Sequence, residues 1–489
     1  MRKVLLVFLL SCCCSAFAQT LSPEVKQFVK VDAPVVALEH VRVIDGTAAA
    51  AKEDQTVVLA NGKIESVLGP GEVVIPNGGG PINLHNDAQV LDLHGYTVIP
   101  GLVGMHDHMF YPMGNAIFGE MAYSFPRLYL AGGVTTIRTT GSLETYTDLE
   151  LKKAIDSGQV PGPKIHVTGP YLEGPGTFAL QLHQLASPEE TTKTANYWMD
   201  EGVDNFKAYM FITPAELSAA IAAAHKRNVK VTGHLCSIGF RDAAGLGIDD
   251  LEHGLIVDTE FFPEKKQGEC PDVADDMVRY GKLDVQTGPV HDMILDLIKH
   301  HVAVTSTLPV FEEEVPGRPV MQRRVLDALT AEARAQFLAN KVRMGDTARL
   351  QRLYKTDVSP MFAAFKKEME FEHEFAKQGG LLLAGLDPTG IGGVVAGFGD
   401  QREVELLVEA GFTPLEAIHI ATCNGAQYLG DLDKLGTIAP GKQADLVVIK
   451  GDPSQKIEDI ENVEIVFKDG VGYDSAKLIE SVRGVVGSR

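Results

Sequence analysis

TVIPGLVGMHDH, residues 97–108, is an apolar run that ends on two histidines one residue apart. In a strand, residues i and i+2 face the same side, so His106 and His108 can reach one ion together. Four further patches repeat the pattern: Lys207 in DNFKAYM, His234 in VKVTGHL, His253 in DDLEHG and Asp387 in LLLAGLD. Each is an apolar run carrying a side chain of metal-ligand type at its end. A fold that gathers strand C-termini around one mouth brings all six together, and a (β/α)8 barrel is such a fold.

The stretch between residues 97 and 434 alternates strand and helix patterns, the mark of a parallel sheet in an α/β protein. Candidate strands are TVIPGLVGMH, VTTIRTTG, PKIHVTGP, NFKAYM, VKVTGHL, DLEHG, VAVTSTL and LLLAGLD, eight in all. Amphipathic stretches such as TPAELSAAIAAAHKRN lie between them, and charged helical sequence at about 310–380 predicts an insertion that caps the mouth. Residues 33–96 and 435–475 read instead as short strands with Gly, Pro and Asn turns, Asn61-Gly62 being a hairpin signal. Neither piece is long enough for a core of its own, so the two are expected to combine as one small β-sandwich.

These motifs resemble the amidohydrolase superfamily, in its imidazolonepropionase-like and prolidase-like branch. The likeness runs from about Val41 to Gly472 and includes VRVIDGT, PGLVGMHDH, GGVTTIRTTG and the tail LGTIAPGKQADLVVIKGDP. It implies a TIM barrel with a β-sandwich and two divalent metal ions, zinc by preference. It further implies that His106 and His108 bind the first metal and His234 and His253 the second, with Lys207 bridging. Asp387 would bind the first metal and act as the catalytic base.

The residue types suit that chemistry. Borderline ions take neutral imidazole and carboxylate ligands, and two ions about 3.5–4 Å apart can share a hydroxide with a pKa near neutrality. Lysine is usually a surface charge, yet Lys207 lies among Phe206, Ala208, Tyr209 and Met210 in a strand that a barrel buries. A desolvated lysine loses its proton more readily, and reaction with CO2 then gives a carbamate (N6-carboxylysine), an anionic bidentate bridge. For the histidines the plain alternative is a hydrogen-bonded core residue, and for Asp387 a turn cap before Pro388. In the metal-site reading Asp387 shuttles a proton from the bridging water to the departing amine.

Around this set three residues are candidate substrate contacts. Tyr209 shares a face with Lys207 and otherwise packs. Arg138, on the second strand, pairs either a substrate carboxylate or a structural acid. His183 lies in an irregular stretch after the third strand. Dipeptidases of the branch often carry Gly-Gly-His-Gly there, and this chain has GPYLEGPGTFALQLHQ instead. The glycine run TGIGGVVAGFG lacks dinucleotide spacing and reads as a mobile loop beside the metals. No serine or cysteine nucleophile motif is present.

Composition narrows the function classes. Hydrophobic residues make up 45% and charged ones 22%, an ordinary globular balance. The net charge is −21, or −23 without Arg2 and Lys3, and it opposes nucleic-acid and anionic-membrane binding. The opening MRKVLLVFLLSCCCSAFAQ has a basic start, an apolar centre and the small-residue ending Ala16-Phe-Ala18, an export signal covering residues 1–18. It predicts a periplasmic or secreted protein. A lipid anchor at Cys12 is the competing reading, and no segment is long enough for a membrane span. Without that segment Cys236, Cys270 and Cys423 remain, enough for one disulfide. Cys236 is expected as a small core or pocket-wall residue.

The expected activity is cleavage of an amide or peptide C–N bond, in dipeptides or N-acyl amino acids, by a homo-oligomeric enzyme. The alternatives are hydrolysis of a lactone, cyclic amide or carbamate, an isomerase or deaminase on the same scaffold, and a non-catalytic binding protein.

Overall fold

The computed structural model describes residues 21–72, 89–177, 179–271, 276–345 and 359–488. The export signal and Cys12 lie outside the described residues. The fold is mixed α/β.

Eight short parallel strands form its centre: Leu102–Gly104, Val134–Thr139, Lys164–Val167, Asn205–Ala208, Lys230–Gly233, Asp250–Glu252, Ala303–Ser306 and Leu382–Ala384. Strands three, two and one pair in that order, and strands four to eight pair consecutively. Parallel bridges Thr168–Asn205 and Leu172–Ala208 join the third strand's end to the fourth. Backbone bonds from Met105 N to Ala384 O (2.8 Å) and from Asp387 N to His106 O (3.0 Å) join the eighth to the first. Every strand therefore has two neighbours, and the order is cyclic.

Helices follow the strands, and local chemistry sets several of their ends. Thr213 and Glu216 form a capping box at the start of Pro214–His225, with proline in the first turn. Ser187 caps Pro188–Glu201, which stops at Gly202 in a left-handed conformation (φ 112°). After the seventh strand come the helices Leu308–Glu312, Arg323–Ala328, Ala331–Gly345 and Ser359–Lys377. The apolar faces of strands and helices meet in one large core, with Phe206, Leu251, Val304 and Leu382 at or near zero exposure.

The N- and C-terminal segments share a second, nine-stranded sheet. Its order is Val29–Val31, Val471–Asp474, Val463–Lys468, Leu446–Lys450, Tyr96–Pro100, Val35–Val43, Lys52–Ala60, Lys63–Leu68, with Gln89–Asp92 beside Val35–Val43. Alternate residues serve two cores. Val98, Leu446, Val448 and Phe467 join Val36, Leu38, Val57 and Leu59, whereas Ile99, Val447, Ile449 and Val466 pack on the main core. The hairpin between Lys52–Ala60 and Lys63–Leu68 turns on Asn61 and Gly62, both at positive φ (53° and 74°).

TVIPGLVGMH, read from the sequence as one strand, is divided. Tyr96–Pro100 pairs antiparallel with Leu446–Lys450 in the second sheet, and Leu102–Gly104 belongs to the parallel set. The break falls at Gly101, where a Cβ would lie 2.0 Å from Thr135 Oγ1, so only glycine lets the two sheets meet there.

A disulfide joins Cys236 to Cys270, with Cα atoms 4.9 Å apart, and Cys423 is free and buried. No described helix is long and apolar enough to cross a membrane.

Candidate metal centre

All six donors lie at the same end of the parallel strands. His106 and His108 follow the first strand, Lys207 is in the fourth, and His234, His253 and Asp387 follow the fifth, sixth and eighth. Two of them turn in a left-handed conformation, His253 at φ 70° and Asp387 at φ 48°. Strand alternation alone sends Glu252 and His253 to opposite faces. The left-handed turn brings both against His106: the His253 ring lies 4.5 Å from its ring, and Glu252 Oε2 lies 2.7 Å from its Nδ1.

Asp387 is the hub. Its carboxylate lies 3.6 Å from His106 Nε2, 3.7 Å from His108 Nε2 and 3.9 Å from His253 Nε2. His106, His108 and Asp387 offer ligand atoms within 4.8 Å of one another, all buried. Lys207 Nζ is 3.0 Å from His106 Nε2, and the His234 ring stands 4.5 Å from that of His253.

Three of the imidazoles are held from behind. His106 Nδ1 bonds Glu252, His108 Nδ1 bonds the Gly141 carbonyl at 3.2 Å, and His253 Nδ1 bonds Thr307 Oγ1 at 2.7 Å. Fixing Nδ1 in this way leaves Nε2 for a ligand, the arrangement found behind metal-bound histidines. His253 Nε2 and Asp387 Oδ1 are buried without a hydrogen-bond partner, which is costly in a folded protein. A cation between them satisfies both, and the imidazole and carboxylate donors suit a zinc-type ion.

Burial favours the neutral forms of the imidazoles and of Lys207 and works against the Asp387 carboxylate. Burial, reinforced by the Lys207 charge, pushes the His106 and His108 imidazoles well below their ordinary range and His234 down to about 3. Burial also lowers the Lys207 ammonium to about 8, against the pull of Glu252 and Asp387. It raises Asp387 to about 6, with Lys207 opposing.

A cavity of about 120 Å³ opens over these groups, walled by His108, Phe110, Phe118, Leu143, Tyr171, Leu182, Tyr209 and Thr389. Tyr209 therefore stands at the cavity. Arg138 does not: it is fully buried beneath the histidines, where its guanidinium meets Asp250 at 2.8 Å, Glu252 at 2.9 Å and the Met105 carbonyl at 2.8 Å. Buried there, with Nε and Nη2 engaged, it organises the floor instead of a substrate carboxylate. His183 is also elsewhere, its side chain 70% exposed and 2.9 Å from Glu190.

Glu252, Thr307 and Tyr171 belong to the site and are not singled out by the sequence reading. Asp250-Leu-Glu252 carries a usable signal, because two carboxylates on one face of a buried strand require a cation. Tyr171, whose hydroxyl is 3.4 Å from His108 Nε2, has no such mark.

A family model described as "Amidohydrolase family" matches residues 97–266 and 391–471. Among solved structures, a Xaa-Pro dipeptidase with methionine bound in its active site is 21% identical, with TM-score 0.65 over 90% of this chain and 100% of that one. A bottromycin amidohydrolase is 19% identical, with TM-score 0.66 over 95% and 96%. The ochratoxinase of A. niger is 17% identical, with TM-score 0.63 over 91% and 96%. Among curated proteins, adenine deaminase 1 of Carboxydothermus hydrogenoformans is 42% identical over 57 residues, which are 12% of this chain and only 9% of that protein.

Proposed function

The chain belongs to the amidohydrolase family of hydrolases acting on carbon–nitrogen bonds, and from that premise we propose that it is a binuclear metal-dependent amidohydrolase of dipeptides or N-acyl amino acids. The observation that carries this reading is the convergence of His106, His108 and His253 on one carboxylate, with Lys207 Nζ against His106 Nε2 and with His253 Nε2 and Asp387 Oδ1 left unpartnered. The cyclic order of eight parallel strands supports a (β/α)8 barrel at 97–434 with a helical insertion at about 310–380. The shared sheet supports a composite domain from 33–96 and 435–475.

His106, His108, Lys207 as its CO2-derived carbamate, His234, His253 and Asp387 would hold two divalent ions, zinc by preference. When bound, such ions polarise a carbonyl and lower the pKa of water. The chain's own groups do the rest. Glu252, the Gly141 carbonyl and Thr307 keep the imidazoles aimed inward. Asp387 accepts a proton from the attacking water and delivers it to the departing amine. Water adds across the C–N bond, giving one carboxylic acid and one amine. Tyr171 and Tyr209 line the cavity where the substrate carbonyl must sit, and Phe110, Phe118, Leu143 and Leu182 exclude bulk water from it.

Peptide and N-acyl substrates draw support from the Xaa-Pro dipeptidase and amidohydrolase neighbours. Export is part of the proposal, and the Cys236–Cys270 disulfide favours an oxidising compartment. The test is amine release from a library of dipeptides and N-acyl amino acids by metal-loaded protein, with lactones, carbamates and adenine in parallel. Release from the amides that a chelator abolishes is the expected result. Turnover of lactones or adenine alone overturns the substrate assignment.

A further inference from the structure

A second cluster of ligand-type side chains lies in the nine-stranded sheet, on its solvent side. His40 sits in the strand Val35–Val43, Asp54 in Lys52–Ala60, Asp92 ends Gln89–Asp92, and His94 follows two residues later. The pairing between the first two strands shifts register between Leu38 and Val41, and His40 and Asp54 both adopt left-handed conformations, at φ 61° and 51°. Bulges of this kind re-aim side chains, and non-glycine residues hold positive φ only where their surroundings impose it.

The re-aimed groups meet. The rings of His40 and His94 stack with centroids 4.1 Å apart and planes 19° from parallel. His40 Nδ1 is 2.8 Å from Asp54 Oδ1, and His94 Nδ1 is 2.5 Å from Asp92 Oδ1. In each pair an imidazole Nδ1 and a carboxylate oxygen share one proton, which an ion taken between them would displace. Ligand atoms of His40, Asp92 and His94 lie within 4.8 Å of one another. Donors on one zinc-type ion stand at most about 4.2 Å apart, twice the bond length, so a small side-chain rotation closes the set.

We propose that His40, His94 and Asp92 bind a further divalent ion of the zinc, nickel and copper class, separate from the metal centre at the strand ends. Two imidazoles and one carboxylate are the donor types that such ions prefer over magnesium or calcium. Two protonated imidazoles stacked at 4.1 Å would repel, whereas two neutral ones sharing a cation do not. Asp54 and the surplus of acids, −21 over the chain, add attraction for a cation. All four side chains are exposed, so water completes the coordination and the ion exchanges freely. Bound there, it ties the turn after Asp92 to the strand that carries His40.

The test reads binding, with amide hydrolysis only as a control. Zn2+ titrated calorimetrically into full-length protein whose strand-end centre is already loaded should show one further equivalent. His40→Ala and His94→Ala should each weaken that equivalent at least tenfold and leave amide hydrolysis within twofold of wild type. Should His40→Ala disturb the bulge, His94→Ala decides alone, since His94 lies outside the paired strands. Absence of a further equivalent in the wild type leaves only surface ion pairs and overturns the proposal. The same equivalent with unchanged affinity in His94→Ala overturns it as well.

Discussion

The two ends of the parallel strands treat titratable groups in opposite ways. At the C-terminal end His253 Nε2 and Asp387 Oδ1 are sealed from water with no partner. At the N-terminal end the titratable groups are paired: His166 lies between Asp204 at 3.0 Å and Asp431 at 3.1 Å, and Lys164 contacts both Asp445 and Asp469. Between the two ends Arg138 neutralises Asp250 and Glu252. One end is finished by the chain itself, and the other is finished only when something binds. This is the division between stability and chemistry that strand-end sites show in parallel barrels.

Lys207→Ala should break that contrast most severely. In the proposed reading it takes away the bridging group, so bound metal should fall from two equivalents by elemental analysis and turnover should drop to background. A short carboxylic acid in the assay should restore part of the rate by supplying two oxygens, and Lys207→Arg should restore none, because a guanidinium stays protonated. Two retained equivalents with wild-type turnover in Lys207→Ala would remove the carbamate from the account.

Asp387→Asn should cost about 10²–10⁴-fold in kcat, the usual worth of a positioned proton carrier, while much of the metal stays bound. A loss confined to KM would contradict the proton-transfer role. Thr307→Val keeps the shape but removes the hydroxyl behind His253 Nδ1. A drop of about 10–100-fold in metal affinity or activity is expected, alongside a small fall in melting temperature from the unpartnered His253 Nδ1.

The smallest effect belongs to the other end and should leave catalysis alone. Burial pulls the His166 imidazole down, but the hydrogen bonds it donates to Asp204 and Asp431 outweigh that and raise it to about 9 in the folded chain. Because the folded pKa lies above the unfolded value, the stabilisation is complete below about pH 6.5 and is lost as pH rises through about 9. After screening it amounts to something on the order of 2 kcal/mol. His166→Gln should flatten the fall in denaturation midpoint between pH 6.5 and 9 without altering kcat. An identical pH slope in the variant would show that the pairing contributes nothing.

The donors at the mouth are readable in the sequence because strand geometry makes them so. Each stands at or just beyond the end of a short apolar run, and His106 and His108 keep the spacing of a shared face. Their supports escape such reading, since Thr307 lies 54 residues from His253 and Glu252 lies 146 from His106. Arg138 shows how a correct strand assignment still leaves direction undetermined: whether it faces substrate or floor depends on Asp250 and Glu252, more than a hundred residues away. The division of TVIPGLVGMH is hidden for a related reason. Both halves are apolar, and the break at Pro100-Gly101 comes from their pairing with different sheets, Leu446–Lys450 on one side and Val134–Thr139 on the other.

The shared sheet also sets an order of events during synthesis. The strands from Val35 to Leu68 leave the ribosome first, yet the sheet that Tyr96–Pro100 extends is completed by Leu446–Lys450 and Val463–Lys468. At a typical rate of about 5–20 residues per second, the early strands wait roughly 20–80 seconds for their last partners. Through that interval Val98 and Leu38 face water, and the whole parallel ring can form while its companion is half built. A chain interrupted between residues 388 and 446 therefore keeps all six candidate donors and loses the closure of its second core, which makes it a substrate for chaperones before it can act as an enzyme.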